Sequence, residues 1–164
     1  MTLRQGAWGD SKIIPIAGCF IFNHSGHLLL LRRHRKSLGG GQWGTPAGRI
    51  EFGESQTEAM LREIFEETGL KLDQAKYLGD HLIKMPHGTV RMASFHTTVP
   101  DDTVITIDPG EHEEFAWFDP KKLLHQEDLL WGEPTMLRDF GLIEPFDDDP
   151  TLADGSTAIL LEKS

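Results

Sequence analysis

Residues 48–70 constrain this 164-residue chain more than any other stretch. They read Gly-Arg-Ile-Glu-Phe-Gly-Glu-Ser-Gln-Thr-Glu-Ala-Met-Leu-Arg-Glu-Ile-Phe-Glu-Glu-Thr-Gly-Leu. The spacing predicts a helix over 56–69. Ser55, followed by Glu58, has the form of a capping box. Gly69 is a C-terminal stop, with Lys71 just beyond it. At about 100° per residue, Met60, Leu61, Ile64 and Phe65 gather on one side, which is expected to pack on a sheet. Glu63, Glu66 and Glu67 gather on an adjoining face, with Ala59 between them.

Most charge runs are solvated helix faces, and i,i+4 pairs of Glu58 with Arg62 and Glu67 with Lys71 fit that description. Other features do not. Glu63 and Glu67 are like charges one turn apart, which costs roughly 0.2–0.5 kcal/mol. Glu66 is expected to have no cation within a turn. Carboxylates clustered in this way suit a hard divalent cation, and magnesium takes few of them while keeping waters for a phosphate ligand. Ahead of the helix, 43–54 reads as a short strand, a turn marked by Gly and Pro, and a second short strand. Gly48 lets its backbone approach closely and present its carbonyl. Glu54 lies at the positive end of the helix dipole. Gly48 and Gly53 also fit as ordinary turn glycines.

Gly48, Glu54, Arg62-Glu63, Ile64, Glu66-Glu67 and Gly69-Leu70 together resemble the Nudix box in full, and weaker similarity runs from about Ile13 to Trp117. The resemblance implies an α+β chain with the Nudix fold, an α/β/α sandwich around a mixed sheet. It implies a hydrolase that cleaves the diphosphate bond of a nucleoside diphosphate linked to another moiety, using Mg²⁺ or Mn²⁺. On that pattern Glu66 and Glu67 are the principal metal ligands, joined by the Gly48 carbonyl. Glu63 is a further ligand or the base that activates water, and Arg62 orients the carboxylates. Glu54 is mainly structural, or ligates through water. Many members add one glutamate from a later segment, which Glu111-His-Glu-Glu-Phe-Ala-Trp117 resembles. Glu111 is the first choice there and Glu114 the second, with a plain charged loop edge as the alternative.

The same resemblance bears on substrate. Gly41-Gln42-Trp43 before the box is similar to members that take nucleoside triphosphates, toward which the reading leans slightly. Pro46-Ala47-Gly48 stands where many members have Pro-Gly-Gly. Members acting on ADP-ribose often show Pro-Ala-Gly, with a proline where Pro86 stands, so ADP-ribose or a nucleotide sugar is the alternative. Pro86 also reads as an ordinary hairpin turn. A catalytically silent nucleotide-binding module would show eroded box acids, and every acid is present. An isopentenyl diphosphate isomerase would need a cysteine in a polar setting, whereas Cys19 lies between Gly18 and Phe20.

Length allows one domain with a real core, read as residues 1–143, followed by an acidic tail, 144–164, read as loosely ordered. Within that tail, Ala158–Leu161 could add an edge strand or meet a partner chain, which leaves a homodimer open. Net charge is −10, which disfavours nucleic acid as a partner. The Arg32-Arg33-His34-Arg35-Lys36 run is a local exception that either draws in phosphates or is simply solvated. The single cysteine excludes an intramolecular disulfide and reads as a small core residue. No signal-like leader opens the chain and no apolar run approaches membrane-spanning length, so a soluble, cytoplasmic protein is expected. Ile13–Phe22 and Leu28–Arg33 read as strands joined by an Asn-His-Ser-Gly turn. A long hairpin is expected over Tyr77–Met85 and Thr89–Val99, a strand over Glu114–Phe118, and short helices from Pro120 to about Leu124 and over Pro134–Phe140. None of the eight histidines has zinc-site spacing. His112 reads as a surface imidazole or a substrate contact. Trp43, Trp117 and Trp131 read as packing residues rather than a base platform.

Overall fold

The structure is a computed structural model, and it describes residues 12–85, 88–125, 128–143 and 157–163. The elements are β1 (Ile13–Asn23), β2 (Leu28–Arg33), β3 (Trp43–Gly44), β4 (Ala47–Arg49), α1 (Gln56–Thr68), β5 (Lys76–Met85), β6 (Gly88–Val99) and β7 (His112–Phe118), then a 3₁₀ helix (Pro120–His125), α2 (Glu133–Asp139) and β8 (Thr157–Lys163). The strands form one eight-stranded sheet along the path β3-β2-β1-β6-β5-β8, with β4 against β1 and β7 against β2. β1 and β6 run parallel, with Ile13 opposite Thr89 and Asn23 opposite Val99. The other strand pairs are antiparallel, so the sheet is mixed.

β1 and β2 are near-continuous apolar runs because each is covered on both faces. Side chains alternate across a strand. Phe20, Phe22, Leu28 and Leu30 therefore join a core with Trp43, Ile83, Met92 and Leu137. Cys19, Ile21, Leu29 and Leu31 join the opposite core with Met60, Ile64 and Phe95. α1 covers the second face, while α2 and the 3₁₀ helix cover the first. The result is the expected three-layer arrangement.

α1 begins where its cap predicts, with Ser55 Oγ accepting from Glu58 N at 3.0 Å. It ends at Gly69, left-handed at φ 75°, whose N–H bonds to the Phe65 carbonyl. Its buried arc differs from the expected one. Ala59, Met60, Ile64, Glu67 and Thr68 are buried, whereas Phe65 is 48% exposed. Counting about 100° per residue from Met60, Glu67 falls close to the centre of this arc and Phe65 beyond its edge. Phe65 instead lies beneath the Lys71 ammonium, 5.7 Å from its ring centre.

The long hairpin forms as read, although Pro86 and His87 at its tip lie outside the described residues. β7 starts two residues earlier than expected, at His112, because Arg33 on β2 pairs with it. In the tail, Thr157–Lys163 pairs antiparallel with β5 and closes that edge of the sheet, the edge-strand alternative. Residues 144–156, which include the acidic Phe146–Thr151 stretch, lie outside the described residues, as do residues 1–11. Among the described residues no helix is long and apolar enough to cross a membrane.

Candidate functional site

β4, α1 and the start of β7 converge on one cleft of about 510 Å³. Its polar wall carries Gly48 from β4, Glu63 and Glu67 from α1, Glu111 and His112 at the entry to β7, and Arg33 from the end of β2. Gly48 pairs with Ala17 of β1 and lies directly under Glu63, so a Cβ at residue 48 would overlap the Glu63 carboxyl. This close approach, rather than a turn, requires glycine here.

Arg62 organises the outer part of the site. Its Nε and Nη2 donate to the two oxygens of Glu54, each at 2.8 Å. Nη1 donates to Glu63 at 2.7 Å and to Glu66 at 3.3 Å, and Nη2 also reaches the Arg49 carbonyl at 2.9 Å. Glu66 therefore does have a cation one turn away, contrary to the sequence expectation, because the Arg62 guanidinium is wide enough to serve three acids. Glu54 is held down to about 2 by its bonds from Arg62 and from the Glu51 N–H.

The inner acids lie in a harsher setting. Glu67 is 4% exposed, so it cannot form the expected surface pair with Lys71. The Ala47 N–H donates to it, but its Oε2 is buried without a partner. Burial raises its pKa well above the carboxylate range, and the charges of Glu63 and Glu111 add to the rise. Glu63 is raised as well, chiefly by burial and further by Glu66 and Glu111, while Arg62 opposes the shift. Ligand atoms of Glu67, Glu111 and His112 lie within 4.8 Å of one another. Glu63 and Glu66 stand outside that trio, held toward Arg62. Glu114 is directed elsewhere, 2.8 Å from Arg32.

His112 is buried, not on the surface. The pairing of Arg33 with His112 sets its side chain into the cleft. Its Nδ1 has no partner, and burial, helped by the Arg33 charge, pushes it down to about 4. The basic run also divides. Arg32 and Arg35 pair with Glu113 and Glu114, leaving Arg33 in the cleft with its Nε unpartnered. Trp43 is core, edge-on to Phe118 at 5.1 Å, Trp117 packs against the α1-side core, and Trp131 lines the cleft.

Two cleft residues escaped the sequence reading altogether. Glu133 is 2% exposed and accepts hydrogen bonds from the Thr45 N–H, at 3.0 Å, and the Thr45 hydroxyl. Only the folded chain brings these positions together, so no local pattern could have announced them.

The family model described as the NUDIX domain matches residues 12–140. The chain belongs to the Nudix family. This Nudix chain is 28% identical over 135 residues to the CTP pyrophosphohydrolase of Escherichia coli K12, covering 82% of itself and 92% of that protein. It is 30% identical to the RNA pyrophosphohydrolase of Erythrobacter litoralis, covering 70% of itself and 80% of that protein. Among solved structures it is similar to the MutT protein of Methanosarcina mazei Go1, with a TM-score of 0.69 and 30% identity over 80% of this chain and 91% of that one. The Nudix chain is thus a hydrolase acting on phosphorus anhydrides, a pyrophosphohydrolase of nucleotide-linked diphosphates. The buried thiol of Cys19, pushed up to about 12 by burial, offers no nucleophile for the isomerase alternative.

Proposed function

We propose that this hydrolase acts on nucleoside triphosphates, releasing a nucleoside monophosphate and pyrophosphate, with Mg²⁺ (or Mn²⁺) held at the Glu67 cluster. The observation that carries the reading is the buried, unpartnered Glu67 Oε2, beside Glu111 and the equally unpartnered His112 Nδ1. A buried carboxylate without a counter-charge is costly, and a divalent cation supplies that charge. The donor set fits such an ion, with oxygens for Mg²⁺ and an imidazole nitrogen that Mn²⁺ also accepts.

Glu67, Glu66, Glu63 and Glu111, with the Gly48 carbonyl, are the proposed ligands, and His112 joins them at the inner edge. A cation held by these residues would supply positive charge to offset that of the phosphates and to favour attack by water at phosphorus. Glu63 or Glu111 takes the proton from that water. Arg62 is a positioning residue, because its bonds fix Glu63 and Glu66 against the backbone of β4. Arg33, with a free Nε in the cleft, faces the phosphates.

The lean to triphosphates draws on similarity to a CTP pyrophosphohydrolase along most of its length. Pro46-Ala47-Gly48 supports ADP-ribose or a nucleotide sugar as the second reading. A panel of triphosphates, ADP-ribose, dinucleoside polyphosphates and capped RNA, incubated with the protein and Mg²⁺ and followed by product chromatography, tests both. Triphosphates are expected to give the highest kcat/KM and pyrophosphate as product. Faster turnover of ADP-ribose would replace the first reading with the second.

A further inference from the structure

One wall of the cleft is a slight element. α2 has seven residues, too few to hold a helix without packing. Its start has no side-chain cap, and left-handed glycines stand at both ends, Gly132 at φ 78° and Gly141 at φ 69°. Yet Leu130, Trp131 and Met136, from this helix and the residues leading into it, line the cleft, so the pose of α2 sets the cleft's shape. α2 lies along β5. At its start Gly132 packs on Ile83, which a Cβ there would meet at 3.2 Å. At its end Asp139 Oδ2 lies 2.8 Å from Nε2 of His81. Ile83 and His81 are two residues apart and so share one face of the strand.

His81 is fully buried and edge-on to Phe140, with ring centres 4.9 Å apart. Burial pushes the imidazole below its ordinary value, against the pull of Asp139 and of Asp80. The neutral ring carries its proton on Nε2, because a carboxylate only accepts. That leaves Nδ1 buried without a partner. An unmet buried acceptor is destabilising, and a leucine at 81 would avoid it. What the histidine adds is direction. Apolar contacts let a short helix slide or turn on a sheet, whereas a hydrogen bond requires one distance and one angle.

We propose that His81 and Asp139 are a positioning pair, whose hydrogen bond fixes α2 in one register on β5 and thereby holds the cleft at the width its substrate needs. Neither residue lines the cleft. The pair acts through Trp131 and Met136 and takes no part in bond cleavage. The inference rests on the nucleotide reading above for what the cleft holds. Because the pair serves placement at a cost in stability, binding and stability should respond to its removal in opposite directions.

The test uses the full chain as wild type, as Asp139→Asn and as the double variant His81→Leu with Asp139→Ala. Three quantities are read: steady-state hydrolysis of CTP in Mg²⁺, thermal melting, and hydrogen exchange of the α1 and α2 amides. Asp139→Asn keeps an acceptor for Nε2–H and should match the wild type in all three. The double variant removes both partners together with the stranded Nδ1, so it should melt no lower than the wild type. Its KM should nevertheless rise about tenfold with kcat within about twofold, as when the wall is in place in about a tenth of the molecules. Its α2 amides should exchange about tenfold faster while those of α1 keep their protection. Should the double variant fail to fold by circular dichroism, Asp139→Ala, which removes only the partly exposed partner, carries the same KM and exchange expectations. A merely structural pair would lower the melting temperature and leave KM unchanged. That result, a fall in kcat in place of the rise in KM, or unchanged α2 exchange overturns the proposal. If the wild type turns over no CTP, the triphosphate reading fails, and the exchange of α2 against α1 still decides the pair.

Discussion

At the scale of single residues, contact between β4 and the Glu63 carboxyl sets what position 48 can be. Gly48→Ala would drive its methyl into that carboxyl, costing about 1–3 kcal/mol as an overpacked site does and displacing Glu63 from Arg62. We expect kcat to fall further than thermal stability does, as kinetics and calorimetry on one preparation would reveal. Glu133 makes a prediction about pH. Burial pushes its carboxyl up to about 7 from an ordinary 4.5, against the pull of its Thr45 bonds. Between those values the folded chain keeps a proton that the unfolded chain gives up. The stability this confers is complete below about pH 4.5 and is lost as pH rises through about 7. Glu133→Gln has no such loss, so the variant should gain on the wild type by about 3 kcal/mol between pH 4.5 and pH 8. Parallel melting profiles across that range would contradict the assignment.

At the scale of elements, α1 is the part most legible in the sequence. Its cap, its stop and its acids are local, since Ser55, Glu58 and Gly69 act within one turn of their partners. Ser55→Ala should cost about 1 kcal/mol, measurable by denaturant titration, and should lower activity only as far as the helix start frays. What local reading missed is rotation. Whether Phe65 or Glu67 turns inward depends on where β1 and β4 lie, and periodicity places the two faces only approximately. The same limit explains His112, whose burial follows from its pairing with Arg33, a residue on another strand. It also explains Arg62. Counting single pairs one turn apart gave it to Glu58, whereas the folded loop offers it Glu54 in a two-pronged bond.

At the scale of the molecule, the sheet divides the labour. One face carries α1 and its acids, the other carries α2 with Glu133, and the cleft joins them across the short β3 and β4 strands. The three-layer sandwich was read from the family resemblance and the order of elements, and the unbroken apolar runs of β1 and β2 fit it because each is covered on both sides. The edge was less readable, because 157–163 is a short run that becomes a strand only when β5 is there to pair with it. Deleting 157–164 should bare the β5 edge, lower stability by at least about 1 kcal/mol and promote self-association. Sedimentation and melting of the shortened chain would check both effects.

The central claim is that the Glu67 cluster holds a divalent cation against a phosphoanhydride. Phosphorus NMR of a nucleoside triphosphate incubated with wild type and with folded Glu67→Gln, each in Mg²⁺ and in EDTA, tests it most directly. The expected result is nucleoside monophosphate and pyrophosphate from the wild type in Mg²⁺, no turnover in EDTA, and a variant slower by at least about 100-fold, beyond the loss usual for groups one shell out from a metal. Wild-type turnover undiminished by EDTA, or matched by Glu67→Gln, would contradict it.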